Sequence, residues 1–208
     1  MSVKKEANGR RSIQVEIEVP GTPEQVWQTI ASGPGISAWF APAAFGEKDG
    51  KPVELKMTVG PMETRSVVTA WDAPRKFSTE ADGWFPGSPR IATEWTVEAR
   101  SGGVCVVRVV QSLFASNADW DDQLIGSESG FPGAFRILRL YLTHFRGQRS
   151  AMMQWIAPGA GTVGQAWETL TAALGLKGVS AGQRWTAPAG VPALSGVVES
   201  VSQSPCNA

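Results

Sequence analysis

The 208-residue chain has few of the residues that mark metal sites or disulfide frameworks. It contains one histidine and two cysteines, without the histidine and cysteine spacing of a zinc site. Cys105 lies in an apolar run and Cys206 lies near the carboxyl end, so the pair is no disulfide framework and suits a reducing compartment. We therefore expect no metal and no cofactor, and a fold held together by its own hydrophobic core.

The chain also has no net charge, because nineteen basic residues balance nineteen acidic ones. Nucleic-acid-binding proteins usually carry a basic excess, so we expect no nucleic-acid partner. Lys4, Lys5, Arg10 and Arg11 are interpreted as a solvated tail. No apolar run is long enough to span a bilayer, and the first residues lack the apolar core of a signal peptide. These absences predict a cytoplasmic protein without a membrane partner.

Tryptophan, by contrast, is abundant. Nine tryptophans are spread along the whole chain. A tryptophan side chain is large and mostly apolar, so it usually fills a core, lines a pocket or anchors an interface. The sequence therefore predicts an aromatic-rich interior.

The most informative segment is a strand that runs directly into a helix. Residues 13–19 alternate apolar and polar side chains, which predicts a half-buried strand. Thr22 is placed to cap the helix that follows, Pro23 suits its first position, and Gln25 completes a capping box. The helix carries Trp27 and is followed by a short turn.

Turn-rich segments then separate a series of short strands. Alternation and turn residues predict strands at 53–59, 63–71, 75–80, 91–100 and 104–114, the last two forming a hairpin. Residues 115–130 are polar, and a helix is predicted at 131–146. Ile137 and Leu140 widen its apolar face, so we expect the helix to be covered more than half way round. A heavily covered helix after antiparallel strands predicts a curved sheet that grips it.

The last third of the chain contains a segment similar in sequence to the first helix. Residues 21–30 and 161–170 are identical at five of ten positions, and the capping box recurs at Thr162 and Gln165. One interpretation is an internal repeat, with a strand near 152–156 and further strands near 183–186 and 195–201. The alternative is two unrelated capped helices.

These segments together resemble the activator of heat-shock protein 90 ATPase family (carboxy-terminal domain), within the START-like, SRPBCC or helix-grip superfamily. The matching pieces are residues 19–27, 39–40, 68–77 and 130–142, in the family's order and spacing. The resemblance covers about residues 12–148, and residues 151–208 look like an incomplete second module or a carboxy-terminal extension. It implies an α+β fold, with an antiparallel sheet wrapped around the long helix and a cavity between them. Phe131 departs from the family, because many members have tryptophan there.

Three motifs have a possible chemistry and a simpler explanation. His144 is a weak candidate for a general base, with no nucleophile signature beside it; a half-buried helix histidine is the alternative. Residues 159–164 spell G-x-G-x-x-G, but too little chain follows for a dinucleotide-binding sheet, so a glycine-rich turn is favoured. Asp119, Asp121 and Asp122 lack the rest of a calcium loop and are interpreted as a solvated acidic loop.

The candidate ligand-binding residues are aromatic or lie beside aromatic residues. In a helix-grip fold they converge on the cavity, where they form either a pocket for a small hydrophobic molecule or a filled core. Arg108 and Gln111 lie on opposite faces of their strand, and one of the two would add a polar contact inside. The predicted site consists of Trp39, Phe40, Trp84, Phe85, Arg108, Phe131, Phe135 and Leu138. The leading hypothesis is a ligand-binding START-like domain. The alternatives are a cyclase or hydrolase using the same cavity, and a chaperone-interacting co-regulator or homodimer.

Overall fold

The computed structural model describes residues 3–59, 62–82, 87, 89–115, 120–150 and 161–201. Contacts between residues divide the chain into two compact units, Met1–Gln154 and Trp155–Ala208. Each unit is described by itself. The predicted sites Trp84 and Phe85, the predicted strand near 152–156 and residue Asp119 lie outside the described residues.

The described part of the first unit contains one large antiparallel sheet and three helices. In chain order the elements are β1 (Lys4–Lys5), β2 (Arg10–Pro20), α1 (Pro23–Ile30), α2 (Gly33–Ser37), β3 (Ala43–Lys48), β4 (Lys51–Val59), β5 (Met62–Asp72), β6 (Lys76–Ala81), β7 (Ile91–Arg100), β8 (Val104–Phe114) and α3 (Asp121–His144). The strand order across the sheet is β1-β2-β8-β7-β6-β5-β4-β3. The long helix α3 packs on this sheet and contacts β2 most extensively. The architecture is the predicted α+β helix-grip fold.

The entry from β2 into α1 confirms the predicted capping box. The backbone N–H of Gln25 donates to Thr22 Oγ1 at 3.4 Å, and the backbone N–H of Thr22 donates to Gln25 Oε1 at 3.0 Å. Pro23 occupies the first turn, where its missing N–H leaves no bond unmade. The cap directs Val26, Trp27 and Ile30 into the core, where all three are buried.

Two rows of side chains on the inner face of the sheet position the candidate site. Residues paired across antiparallel strands share one face, so the register defines each row. The aromatic row consists of Val15, Val109, Trp95, Phe77 and Trp71. The polar row is offset from the aromatic row by two residues on each strand and consists of Ile13, Gln111, Thr93 and Thr79.

The long helix begins ten residues earlier than its apolar pattern predicts, at Asp121 instead of residue 131. Gly126, Gly130 and Pro132 weaken the helical signal of this stretch, because glycine and proline have low helix propensity. Tertiary contacts override that weakness: Leu124 is 1% exposed in the core. The predicted acidic loop is therefore wrong for Asp121 and Asp122, which lie in the first turn of the helix.

The helix buries one face rather than more than half of its surface. The buried side chains are Leu124, Phe131, Phe135, Leu138, Tyr141 and Leu142. Ile137 and Leu140, which widened the predicted apolar face, are 52% and 53% exposed. The prediction of a helix covered more than half way round was therefore wrong, because the curved sheet reaches only one side of it.

The basic amino-terminal cluster is part of the fold and not a solvated tail. Lys4 and Lys5 form β1, which pairs with β2 opposite Ser12 and Arg11. Arg11 and Lys5 both contact the Asp121 carboxylate, at 2.7 and 3.2 Å. The cluster joins the edge of the sheet to the start of α3.

The second unit contains a helix and a small hairpin among its described residues. They are α4 (Val163–Ala173), β9 (Arg184–Thr186) and β10 (Ser195–Val197), with the two strands antiparallel. The predicted capping box of α4 is confirmed, because the backbone N–H of Gln165 donates to Thr162 Oγ1 at 3.3 Å and Gln165 Oε1 accepts from the backbone of Thr162 at 2.8 Å. Trp185 Nε1 donates to the carbonyl of Leu174 at 2.9 Å, which ties the hairpin to the end of the helix.

Within the residues that the structure describes, no helix is both long enough and apolar enough to cross a membrane.

Candidate ligand site

Trp95 lies at the centre of the candidate site. Its ring stacks on Phe77 with a centroid distance of 6.2 Å and an interplanar angle of 9°. On the helix side it meets Phe131 and Phe135 edge-on, both at 5.9 Å. Edge-on and offset contacts are the arrangements that aromatic rings prefer, so the contacts within this group are energetically favourable. The rings of sheet and helix are thus in direct contact.

The short helix α2 and the residues after it place two more rings on this cluster. Trp39 is 2% exposed, lies 6.3 Å from Trp95 and donates from Nε1 to the carbonyl of Thr29 at 3.2 Å. That hydrogen bond satisfies the one polar atom of a buried indole. Phe40 lies 5.3 Å from Trp39. The structure therefore brings Trp39, Phe40, Phe131 and Phe135 together in one aromatic cluster.

Only some of the residues in and around the aromatic cluster are fully buried. Phe135 and Leu138 are 1% and 0% exposed and fill the core. Other rings packed against the same core keep part of their surface exposed, namely Phe40, Phe45, Trp71 and Trp95. Some aromatic positions therefore act as core, while others present accessible apolar surface on the inner side of the sheet.

Arg108 does not line this interior. Its side chain lies on the outer face of β8, where Nε donates to Glu16 Oε2 at 3.0 Å. The neighbouring residues Val107 and Val109 are fully buried, which fixes the inward face of the strand. The inward polar residue of the pair considered is Gln111, which is 8% exposed. The placement of Arg108 inside was wrong because alternation alone does not say which face is covered.

His144 is exposed at the last turn of α3, beside the ring of Phe145 at a centroid distance of 6.1 Å. Its side chain is exposed and is not the half-buried residue that was expected. A general base must reach the proton that it removes, and nothing in the geometry of this exposed histidine directs it to an interior site.

Two glutamines contribute buried polar groups to the first unit. Gln111 Nε2 donates to Thr93 Oγ1 at 3.4 Å, within the polar row. Both polar atoms of the Gln123 carboxamide are buried and have no hydrogen-bond partner in the structure. Sequence reasoning singled out Gln111 only as an alternative and missed Gln123, because its segment carried no recognisable helical pattern.

An ion pair lies at the amino terminus of α3. The side chains of Arg11 and Asp121 are 12% and 14% exposed. Burial acts to raise the pKa of Asp121, but hydrogen bonds from Lys5 and Arg11 and their charges outweigh it, so this pKa lies below its ordinary value. Asp121 is therefore a structural anion held by two cations.

A separate polar pocket of about 410 Å³ lies at the β1–β2 edge of the sheet. Its lining mixes both signs of charge with few apolar side chains: Lys4, Glu6, Arg10, Ser12, Ile13, Gln14, Glu94, Val110 and Glu128. Small-molecule sites are usually mostly apolar with a few placed polar groups, which describes the aromatic cluster and not this pocket.

The remaining sequence motifs have structural explanations within the described part of the chain. There, no group of three or more His, Cys, Asp or Glu residues could hold a metal ion. Gly161 of the glycine-rich motif has a φ of +89° immediately before the cap of α4, a conformation that glycine adopts without strain. The glycines that the structure describes shape the approach to a capped helix.

The fold and the site define a START-like domain of the SRPBCC superfamily. Residues 10–130 match the model of the family described as polyketide cyclase / dehydrase and lipid transport. This match covers more than half of the chain, and the protein belongs to that family. No curated protein matches the sequence.

Solved structures support the fold. Protein MLL2253 from Mesorhizobium loti is 19% identical with a TM-score of 0.57, over 65% of this chain and 98% of that one. The Aha1 dimer from Colwellia psychrerythraea is 16% identical with a TM-score of 0.50, over 65% and 98%. Ara h 8.0201 is 16% identical with a TM-score of 0.51, over 65% and 99%. These similarities concern the fold alone. The family match confirms the expected superfamily, whereas the more specific heat-shock protein 90 activator family is not shown.

Proposed function

We propose that this protein binds a small, largely hydrophobic molecule between the inner face of the sheet and α3. The partly exposed rings of the aromatic cluster are the main observation in favour. Phe40 and Trp95 pack against the core and keep accessible surface, as residues that contact a ligand must. The family description, which includes cyclases, dehydrases and lipid transport, agrees with an apolar interior.

Binding of a neutral fluorescent probe tests this proposal. N-phenyl-1-naphthylamine should bind saturably at one site, and Trp95→Ala should weaken binding at least about tenfold because the central ring contact is lost. Leu140→Ala is the control, since Leu140 lies on the exposed side of α3 and is 53% exposed. Absence of saturable binding, or equal loss in both variants while both remain folded, would refute the site.

The same proposal includes the natural ligand and the cellular location. Native mass spectrometry of protein purified from its own cells should show a bound small molecule that denaturation releases. A cytoplasmic location agrees with the buried free thiol of Cys105. Detection of protein only outside the cytoplasm would reject that part of the proposal.

A second candidate function is protein interaction, including chaperone regulation or homodimer formation. The exposed apolar side chains of Ile137 and Leu140 on α3, and of Phe145 immediately after it, favour this function, because such groups together often mark an interaction surface. The Aha1 neighbour was solved as a dimer. Analytical ultracentrifugation of the native chain and of Leu140→Asp, with pull-downs in the presence and absence of residues 151–208, separates this function from ligand binding alone.

A further inference from the structure

The long helix α3 has a regular exposed face on the side away from its buried residues. Ile137 and Leu140 lie on this face and are 52% and 53% exposed. They belong to a row of residues spaced alternately four and three positions apart, a spacing that keeps side chains on one side of a helix. The exposed row consists of Gly126, Gly130, Gly133, Ile137, Leu140 and His144. Large apolar side chains in such a row are typical of a helix that packs against a second helix.

The two halves of the exposed row differ in height. At each of the three glycines, an added Cβ atom would meet nothing within 4 Å, so the amino-terminal half is low and open. The carboxy-terminal half carries the larger side chains of Ile137, Leu140 and His144. Glycine weakens a helix, so its repetition on one side of α3 is unfavourable for the isolated chain. A partner that needs close approach to the backbone would offset this disadvantage.

A second copy of the chain that runs antiparallel fits this surface. The row is symmetric about its midpoint, so a twofold axis placed there sets each glycine of one copy opposite a larger residue of the other. The pairs are Gly133 with Ile137, Gly130 with Leu140, and Gly126 with His144. A twofold interface uses the same surface on both copies, so all three pairs occur twice. A parallel pair would instead set glycine against glycine and leave gaps.

The charges of α3 favour the same direction. The amino-terminal half of the helix carries the acidic residues Asp122 and Glu128, besides Asp121, which Arg11 and Lys5 hold within the fold. The carboxy-terminal half carries Arg136 and Arg139. An antiparallel pair places the acidic half of one copy beside the basic half of the other, and it also sets the two helix dipoles in opposite directions.

We propose that the exposed row of α3 is the interface of a homodimer in which two copies of this helix pack antiparallel, each glycine receiving a larger side chain of the second copy. This proposal rests on the second candidate function, homodimer formation, and gives it a partner and a geometry. Arg136 would lie near the twofold axis and approach its own copy, which opposes association. A contact of two helices also lies at the small end of interface sizes, so the expected dissociation constant is in the micromolar range.

A glycine variant separates the dimer from the fold. Sedimentation velocity of the native chain from about 1 to 300 µM measures the dissociation constant. Gly130→Leu should weaken the dimer at least about tenfold, because the new side chain occupies the space that Leu140 of the second copy fills. At a concentration where the native chain is monomeric, the same variant should leave the urea midpoint unchanged or raise it, since leucine favours the helix and has room there. Gly164→Leu, the same change at an exposed glycine of α4, should leave the dimer unchanged.

A double variant tests the pairing itself. Leu140→Ala alone should weaken the dimer at least about fivefold, because it removes the side chain that faces Gly130. Gly130→Leu combined with Leu140→Ala exchanges the large and small members of the pair and should recover most of the affinity. Recovery is not expected from a nonspecific apolar surface, for which the two effects would add.

Cross-linking tests the direction of the two helices. In a Cys206→Ser background, Gly126→Cys and His144→Cys chains are mixed in equal amounts and treated with a short bismaleimide; Cys105 is buried and does not compete. The mixture should form a cross-linked dimer and neither variant alone should, because the two positions are about 27 Å apart along one helix. A parallel pair would cross-link each variant to itself.

Each contrary result has a separate meaning. If the native chain stays monomeric over the whole concentration range, homodimer formation fails as a candidate function and this proposal fails with it. If a dimer survives Leu140→Asp, the chain associates through another surface and the proposal is refuted. If Leu140→Asp dissociates the dimer but Gly130→Leu does not, or if Gly126→Cys cross-links to itself, the homodimer stands and the antiparallel pairing is refuted.

Discussion

Arg11 donates two hydrogen bonds from a single guanidinium nitrogen, Nη1, to the two carboxylate oxygens of Asp121, at 2.7 and 2.8 Å. The two residues are 110 positions apart, and both side chains are largely buried. Lys5 adds a second cation at 3.2 Å. This contact joins the first long strand of the sheet to the first turn of α3, and it determines where the helix begins over the inner face.

We expect Asp121→Asn to lower the free energy of unfolding at pH 7 by about 1–3 kcal/mol, because it leaves the buried Arg11 without its charged partner. Asp122→Asn is the control, since Asp122 lies in the same first turn and is exposed. The control removes a similar favourable interaction with the helix dipole without breaking an ion pair. Urea unfolding measures both variants, and equal losses would show that the ion pair contributes nothing beyond helix electrostatics.

The pH dependence of this contact follows from the direction of the pKa shift. The pKa of Asp121 in the folded protein lies below its ordinary value, because hydrogen bonds from Lys5 and Arg11 outweigh the effect of burial. The carboxylate therefore stabilises the fold fully above the unfolded pKa of about 4, and this stabilisation is lost as the pH falls through the folded pKa. The difference between the native protein and Asp121→Asn should shrink in that acidic range; a constant difference would contradict the assignment.

The parts of the fold predicted from sequence are those with strong local signals. The capping box at Thr22 and Gln25 and the hairpin strands Ile91–Arg100 and Val104–Phe114 were placed correctly, because capping and alternation are local properties. The start of α3 was not, since its stability comes from the distant partners of Asp121 and Leu124.

The candidate site likewise has a part that could be predicted from the sequence and a part that could not. Aromatic residues such as Trp39 and Phe135 were identifiable because large apolar rings are usually buried together. The inward face of β8, and hence the choice between Arg108 and Gln111, depended on which side of the sheet α3 covers. Gln123 had no local signal, because its burial results entirely from tertiary packing.

The close approach of α2 to α1 predicts a strong effect at Gly35. A Cβ atom at this position would lie 2.1 Å from the carbonyl oxygen of Gln28 and 2.7 Å from that of Thr29. Gly35→Ala should therefore force the backbone apart and destabilise the protein by about 2–3 kcal/mol. Gly133→Ala is the matched control, because a Cβ there meets nothing within 4 Å and the residue is exposed in α3. Chemical denaturation should show a gain of about 0.5–1 kcal/mol for the control, and a similar gain for Gly35→Ala would contradict the contact.

The thiol of Cys105 should be unreactive in the folded protein. It is buried, its Sγ donates to the carbonyl of Gly21 at 3.2 Å, and burial, aided by the charge of Glu24, raises its pKa. Thiolate is the reactive form, so both access and ionisation are reduced. In a Cys206→Ser variant, labelling by 5,5′-dithiobis(2-nitrobenzoate) should be at least about 100-fold slower in native buffer than in denaturant. Comparable rates, corrected with free cysteine as the reagent control, would show that this part of the core opens readily.

The two capping boxes test whether the chain has two independent units. The boxes at Thr22 and Thr162 have nearly the same geometry, yet α1 buries four residues and α4 buries none. Loss of a cap costs about 1 kcal/mol wherever the helix is part of the cooperative unit. Thr22→Ala should therefore lower the midpoint of the main unfolding transition, with Thr22→Ser recovering most of the loss. Thr162→Ala should leave that main transition unchanged. It should reduce only the part of the helical signal that is lost in a separate transition. If both alanine variants shift the main transition equally, the cooperative unit extends across the whole chain, and residues 151–208 are part of the domain rather than a module of their own.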